Sequence, residues 1–240
     1  MKSFLLLLVI LLNSYSFAQT LKIGTTSSFP PFSSAANEQK NLFGFDIELV
    51  EEICKRIHTK CTFVISTYND LFIQLKNGKI DLAVSGIIIT PEMQNQFLFS
   101  IPYLKSHGRF LTLQQSNINR IDDIFSKKIG ARKGTPFKNA ALVLFKNKVK
   151  VQEYPSLFDL LIALKQKEID VAFINDEAAE YWNANGGNTY KLIDQKIPVG
   201  NGYVVMTKKG QNKFVAKINQ AIKSITSDGT FLKMYKRHIK

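Results

Sequence analysis

Asp176, in FINDEAAEYW, directly follows an apolar run that reads as a buried strand. A carboxylate there can take an ammonium group, or it can serve as a plain helix cap. GARKGTPFKN places Gly134 and Thr135 at a turn that opens a helix. Its free backbone N–H groups can receive a carboxylate, with Arg132 or Lys133 adding charge, or it is an ordinary helix start with two surface cations. Phe29 lies beside two prolines in TSSFPPF and Tyr68 begins the helix of YNDLFIQLKNG, so each is either a core aromatic or one wall of a ligand site. Two aromatic faces can grip an aliphatic stem or a cation, each cation–π contact being worth about 0.5 to 2 kcal/mol. VSGIIITPEM, residues 84–93, has the outline of an anion site: Ser85 and Gly86 close an apolar strand, and Thr90 precedes Pro91 as an N-cap. Nothing in that stretch holds an anion by charge, since it contains no lysine, arginine or histidine.

Other chemistries leave little trace. There is no GxSxG around Ser85, no phosphate loop ending in Gly-Lys-Ser or Gly-Lys-Thr, and no HExxH. The histidines, His58, His107 and His238, are scattered, so no metal site is expected. No cofactor is implied.

The elements that must position these residues read clearly. The chain has 240 residues, 45% hydrophobic and 21% charged, enough for one large domain or two lobes. MKSFLLLLVILLNSYSFAQT reads as a secretory signal peptide cleaved after Ala18, its apolar run being about half the roughly 20 residues a membrane span needs. In an exported chain the two cysteines, Cys54 and Cys61, are expected to form a disulfide. The formal charge is +13, but its lysines are spread along the chain without a dense run, which reads as a solvated surface and gives no call for nucleic acid.

Short strands alternate with amphipathic helices from residue 21 onward, predicting an α/β protein with mostly parallel sheets flanked by helices. YNDLFIQLKNGKIDLA and YPSLFDLLIALKQKEIDVA form a weak repeat whose second copy is three residues longer, with Tyr68 expected to correspond to Tyr154. The repeat implies two similar lobes with a cleft between them, joined by a two-strand hinge through YLKSHGRFLTLQQ and IPVGNGYVVMT. The expected division is a signal peptide over 1–18, a first lobe over 19–105, a second over 106–200, and a return to the first over 201–240. Ligands of open α/β sheets sit beyond the carboxyl ends of the strands, which here means Thr25 to Phe32, Ser85 to Thr90, Arg132 to Phe137 and Asn175 to Glu177.

The order of LKIGT, FPPF, GFDIELVEEICKRI, YNDLFIQLKNGKIDLAVSG, ITPEM, FSIPY, IGARKGT and FINDEAA resembles the periplasmic solute-binding proteins of polar amino-acid ABC transporters across nearly the whole chain after residue 18. The branch it looks most like holds the lysine/arginine/ornithine, histidine and arginine binders, which share the Cys-x6-Cys pair. The resemblance implies a two-lobe, hinged, monomeric, non-enzymatic binder of a polar, basic amino acid that serves a membrane permease from the periplasm. It places Phe29 and Tyr68 in the ligand clamp, Thr135 on the α-carboxylate and Asp176 on the α-ammonium. It also marks departures. Met93 stands where the family has a carboxylate-binding arginine, Ile88 where it has Ser, Thr or Asp, and Thr26 where the lysine and arginine binders have an acid. Arg132, Lys133 or Arg109 would then supply the missing charge, with backbone N–H groups of Ile88 and Thr135 completing the cradle. Otherwise the ligand is an amine without an α-carboxylate, or the scaffold serves another role: a sensory or interaction protein, or a cyclohexadienyl-dehydratase-like enzyme.

Overall fold

A computed structural model describes residues 20–36, 41–193 and 195–239; the expected signal peptide lies outside them. The chain begins with β1 (Leu21–Thr25), a small antiparallel sheet of β2 (Ser28–Phe29), β3 (Ser33–Ala35) and β4 (Leu42–Phe43), and helix α1 (Phe45–Arg56). Then come β5 (Cys61–Ile65), α2 (Tyr68–Lys76), β6 (Leu82–Ile88), the short α3 (Pro91–Gln94) and β7 (Phe97–Phe99). A second run follows, with β8 (His107–Leu113), β9 (Lys128–Arg132), α4 (Phe137–Leu144), β10 (Lys150–Tyr154), α5 (Leu157–Lys165), β11 (Val171–Asn175), α6 (Asp176–Asn185) and β12 (Tyr190–Leu192). The chain ends with β13 (Ile197–Pro198), β14 (Tyr203–Lys208), α7 (Asn212–Ser227) and α8 (Thr230–His238).

Two mixed sheets organise these elements, in the orders β5-β1-β6-β14-β7 and β10-β9-β11-β8-β12. In each, three parallel strands come first and an antiparallel strand lies fourth, β14 in one and β8 in the other. Those fourth strands are the expected crossings themselves. YLKSHGRFLTLQQ and IPVGNGYVVMT do not merely link the lobes; His107–Leu113 and Tyr203–Lys208 enter the sheets, so strict helix-strand alternation understated the antiparallel content.

Side-chain caps start two of the helices. Thr67 caps α2 and Ser156 caps α5, each side chain accepting the N–H of the third residue on, Asp70 or Asp159. One prediction from the repeat needs correction: Tyr68 is the first residue of α2, whereas Tyr154 ends β10, and the residue matching Tyr68 is Leu157. Counted from the helix starts, the two copies run into Ile80-Asp81-Leu82-Ala83 and Ile169-Asp170-Val171-Ala172 without an insertion.

The structure contains the Cys54–Cys61 disulfide, joining the end of α1 to the start of β5 with a Cα separation of 6.3 Å. Among the described residues no helix is long and apolar enough to cross a membrane, and no cluster of His, Cys, Asp or Glu is arranged to hold a metal.

Candidate functional site

The β2 turn carries Phe29, buried and stacked on Phe32 at 5.2 Å between centroids. The Pro30–Pro31 peptide within this turn is cis. The start of α2 carries Tyr68, held edge-on to Phe72 at 5.1 Å. Between the two rings lies the guanidinium of Arg132, its Cζ 4.3 Å from the Phe29 centroid and 3.9 Å from the Tyr68 centroid. Arg132 ends β9 in the other sheet, so this cation–π sandwich joins the two lobes. The side chain is 4% exposed. Burial lowers its pKa, opposed by the nearby Tyr68 and Tyr203 hydroxyls. Neither Arg132 Nη2 nor Tyr68 Oη has a well-formed hydrogen bond.

Gly86 explains how Phe29 is seated. Its φ of +56° suits glycine, and a Cβ there would lie 2.5 Å from Phe29 Cε1. The Gly86 N–H donates to Asp46 Oδ2 at 2.7 Å, and the Tyr103 hydroxyl donates to Oδ1 at 2.7 Å. Ser85 joins a chain of hydroxyls, 2.8 Å from Thr26 Oγ1, which lies 3.2 Å from Ser33 Oγ. The Gly86 N–H and the Ser85 hydroxyl are thus engaged within the protein.

Asp176 begins α6 and is also engaged. Arg109 Nε donates to Oδ1 at 2.8 Å, and Lys196 Nζ contacts Oδ2 at 2.7 Å. The next residue, Glu177, accepts the Tyr203 hydroxyl at 2.5 Å, while Asn175 Nδ2 donates to the same oxygen at 3.2 Å. Burial raises both inner carboxyls: Asp46 reaches about 7 against its hydrogen bonds, and Glu177 reaches about 7 with Asp176 and Glu180 adding to the rise.

Two cavities open beside the sandwich and share Asn69. One, of about 520 Å³, is lined by Met93 from α3 and by Gly134, Thr135 and Lys138 from the other lobe. The other, of about 510 Å³, is lined by Thr26, Ser66, Tyr68, Arg132, Ser156 and Asp159. Met93 faces its cavity from an apolar cluster with Tyr68 and Phe97, so thioether packing occupies the place where a charge was sought. Thr135 Oγ1 donates to the Arg132 carbonyl at 2.6 Å. Ile88 is buried, and a Cβ on Gly200, in the return crossing, would fall 2.4 Å from its Cγ2. Thr90 takes the N-cap position of α3 without a side-chain cap bond.

Of the residues singled out from sequence, Phe29, Tyr68 and Arg132 therefore meet directly, and Met93 and Thr135 share a cavity wall. Ser85 and Gly86 lie in the network behind Phe29, Asp176 sits in a separate ion cluster, and Ile88 faces the return crossing. Lys133 is exposed and Arg109 is committed to Asp176, which leaves Arg132 as the cation at the aromatics. Sequence reasoning missed Asp46, Tyr103, Tyr203 and Lys196, and reached Glu177 only as the end of the stretch Asn175 to Glu177. The Asp46 carboxylate at the second position of α1, amid an apolar stripe, was the one local signal available.

Comparison with known proteins agrees with this architecture. Residues 21–240 match the bacterial extracellular solute-binding proteins, family 3. The putative ABC transporter arginine-binding protein 2 of Escherichia coli K12 is 28% identical over 93% of this chain and 92% of its own. The histidine-binding periplasmic protein of the same strain is 30% identical, covering 92% of this chain and 87% of its own. Among solved structures, an arginine 3rd transport system periplasmic binding protein from Legionella pneumophila superposes with a TM-score of 0.87 at 38% identity, over 91% of this chain and 99% of that one. The fold is the two-lobe fold of these binding proteins, and the chain belongs to the bacterial extracellular solute-binding proteins, family 3.

Proposed function

We propose that this solute-binding protein captures a basic amino acid, arginine or a close homologue, between its lobes and delivers it to an ABC permease without chemical turnover. The carrying observation is the spacing of Phe29 and Tyr68, which admits a guanidinium between two ring faces, as the position of Arg132 demonstrates. The names of the arginine- and histidine-binding relatives support the same ligand class. In this reading the ligand side chain enters the aromatic slot, and its α-carboxylate lies near Gly134 and Thr135 ahead of α4. Asp176 takes the α-ammonium in exchange for Lys196, whose side chain is half exposed and can leave. Ser85, Gly86, Ile88 and Met93 shape the wall behind the ligand. The protein acts as a monomer in the periplasm after cleavage at Ala18, with lobe limits at 19–105, 106–200 and 201–240.

A thermal-shift panel on refolded mature protein tests this, with arginine, lysine, ornithine and histidine set against agmatine and putrescine. At 100 times its dissociation constant a ligand adds about 2.7 kcal/mol of stability. Arginine or lysine should raise the melting point while agmatine leaves it unchanged, because the amine lacks the α-carboxylate. A shift with the amines alone would reassign the site to a cationic amine, and a flat panel would overturn the transport reading.

A further inference from the structure

Arg132 occupies the slot that the proposed ligand needs. Its guanidinium lies against both aromatic faces, where a guanidinium ligand would lie. What holds it there is weak in kind. No ion pair to Arg132 occurs among the described residues, and Nη2 is buried without a hydrogen-bond partner. A buried cation held by π faces and a neighbouring tyrosine hydroxyl, with no carboxylate against it, is easier to displace than one bonded to a carboxylate. The backbone of Arg132 is fixed by strand pairing to Tyr154, so displacement requires only a side-chain rotation. The adjoining cavity of about 510 Å³ offers the room, and Asp159 in its wall offers a carboxylate.

We infer that Arg132 is an internal occupant of the ligand slot, closing the lobes when no ligand is present and setting how readily the site accepts a cationic side chain. The competition part rests on the function proposed above; the closure part does not. Asp176 follows the same logic, since Arg109 and Lys196 satisfy it before any ammonium arrives. A ligand that binds only after Arg132 leaves has its affinity reduced by the fraction of molecules in which the slot is free. Arg132 thus sets the affinity of the slot, lowering it by the same factor for every ligand that must displace the guanidinium.

The test uses Arg132→Leu, which removes the charge, and Arg132→Gln, which keeps a polar side chain and covers the case in which leucine is not tolerated. Ligand-free compactness is read by small-angle scattering, and arginine affinity by calorimetry. Both variants should be more open than wild type without ligand. Both should bind arginine about tenfold more tightly, the factor for a slot free in about one molecule in ten. Unchanged ligand-free compactness in both variants overturns the inference. Weaker or unchanged arginine binding also overturns it, and weaker binding would make Arg132 a group that holds the ligand. If no form binds arginine, the proposed function fails, and the scattering comparison alone decides whether Arg132 closes the lobes.

Discussion

Asp46 is fully buried, and its carboxyl accepts one bond from the Tyr103 hydroxyl and one from the Gly86 amide. Those bonds favour the ionised form but do not offset the loss of water, so the pKa rises from 3.8 to about 7. The native state therefore binds this proton more tightly than the unfolded chain does. Its contribution to stability is fully present below about pH 4 and is lost as pH rises through about 7. Asp46→Asn keeps the shape, with Oδ1 able to accept from Gly86 and Nδ2 able to donate to the Tyr103 oxygen. Urea denaturation of the two forms should show wild type losing on the order of a few kcal/mol between pH 5 and pH 8 that the variant keeps. Parallel pH profiles would show that the buried carboxyl does not govern this stability. The one sequence signal, an acid amid the apolar residues that open α1, does not disclose these bonds, because an acid is ordinary in a first helical turn. Phe29 and Tyr68 were legible because each lies just beyond a strand end, next to a turn or cap signal. That Arg132 lies between them depends on how two lobes meet, which local pattern does not encode.

The two copies of Ile-Asp-x-Ala do the same mechanical work in their respective sheets. Asp81 accepts the Lys22 N–H at 2.8 Å, and Asp170 accepts the Lys128 N–H at 2.7 Å. In return the Asp81 and Asp170 amides donate to the Lys22 and Lys128 carbonyls. Each aspartate thus ties the strand it introduces, β6 or β11, to the start of the neighbouring β1 or β9. Glycines repeat in the same way: a Cβ on Gly24 or Gly130 would fall 2.3 Å from Ile80 Cδ1 or Ile169 Cδ1. Asp81→Ala and Asp170→Ala should each cost about 1 to 2 kcal/mol, the worth of a hydrogen bond to a partly exposed carboxylate. Chemical denaturation would measure this, and a loss confined to one variant would contradict the equivalence. The alternation of elements was legible because helical and strand periodicities differ, and so was the repeat. Its opening register was not, because similar Leu-Phe pairs occur at different distances from the caps Thr67 and Ser156. The two crossings were legible as hinge strands, but their antiparallel place inside the sheets was not, because a crossing and a sheet strand look alike when both are short and apolar.

Across the whole molecule, the lobes meet at the Arg132 sandwich and again at Tyr203. This tyrosine belongs to β14 of the first sheet, yet its hydroxyl donates to Glu177 and accepts from Asn175, both at the β11–α6 junction of the second. The ring stacks on Tyr103 at 6.2 Å and stands edge-on to Phe32 at 5.0 Å, so it is held rigidly. Removing the hydroxyl by Tyr203→Phe keeps this packing but leaves a buried carboxyl without its donor, a cost of about 1 to 3 kcal/mol. That cost falls on the contact between lobes, because within each lobe the sheets and helices are untouched. It also depends on pH. The Tyr203 bond lowers the Glu177 pKa, which stands at about 7 in the wild type, so losing it costs more at pH 8, where the bond favours the ionised carboxyl, than at pH 5, where the carboxyl is neutral in both forms. Small-angle scattering of the ligand-free variant should therefore show lobes separated at pH 8 and largely closed at pH 5, with wild type compact at both. A variant as compact as wild type at pH 8 would mean that the Tyr203 bond contributes nothing to closure.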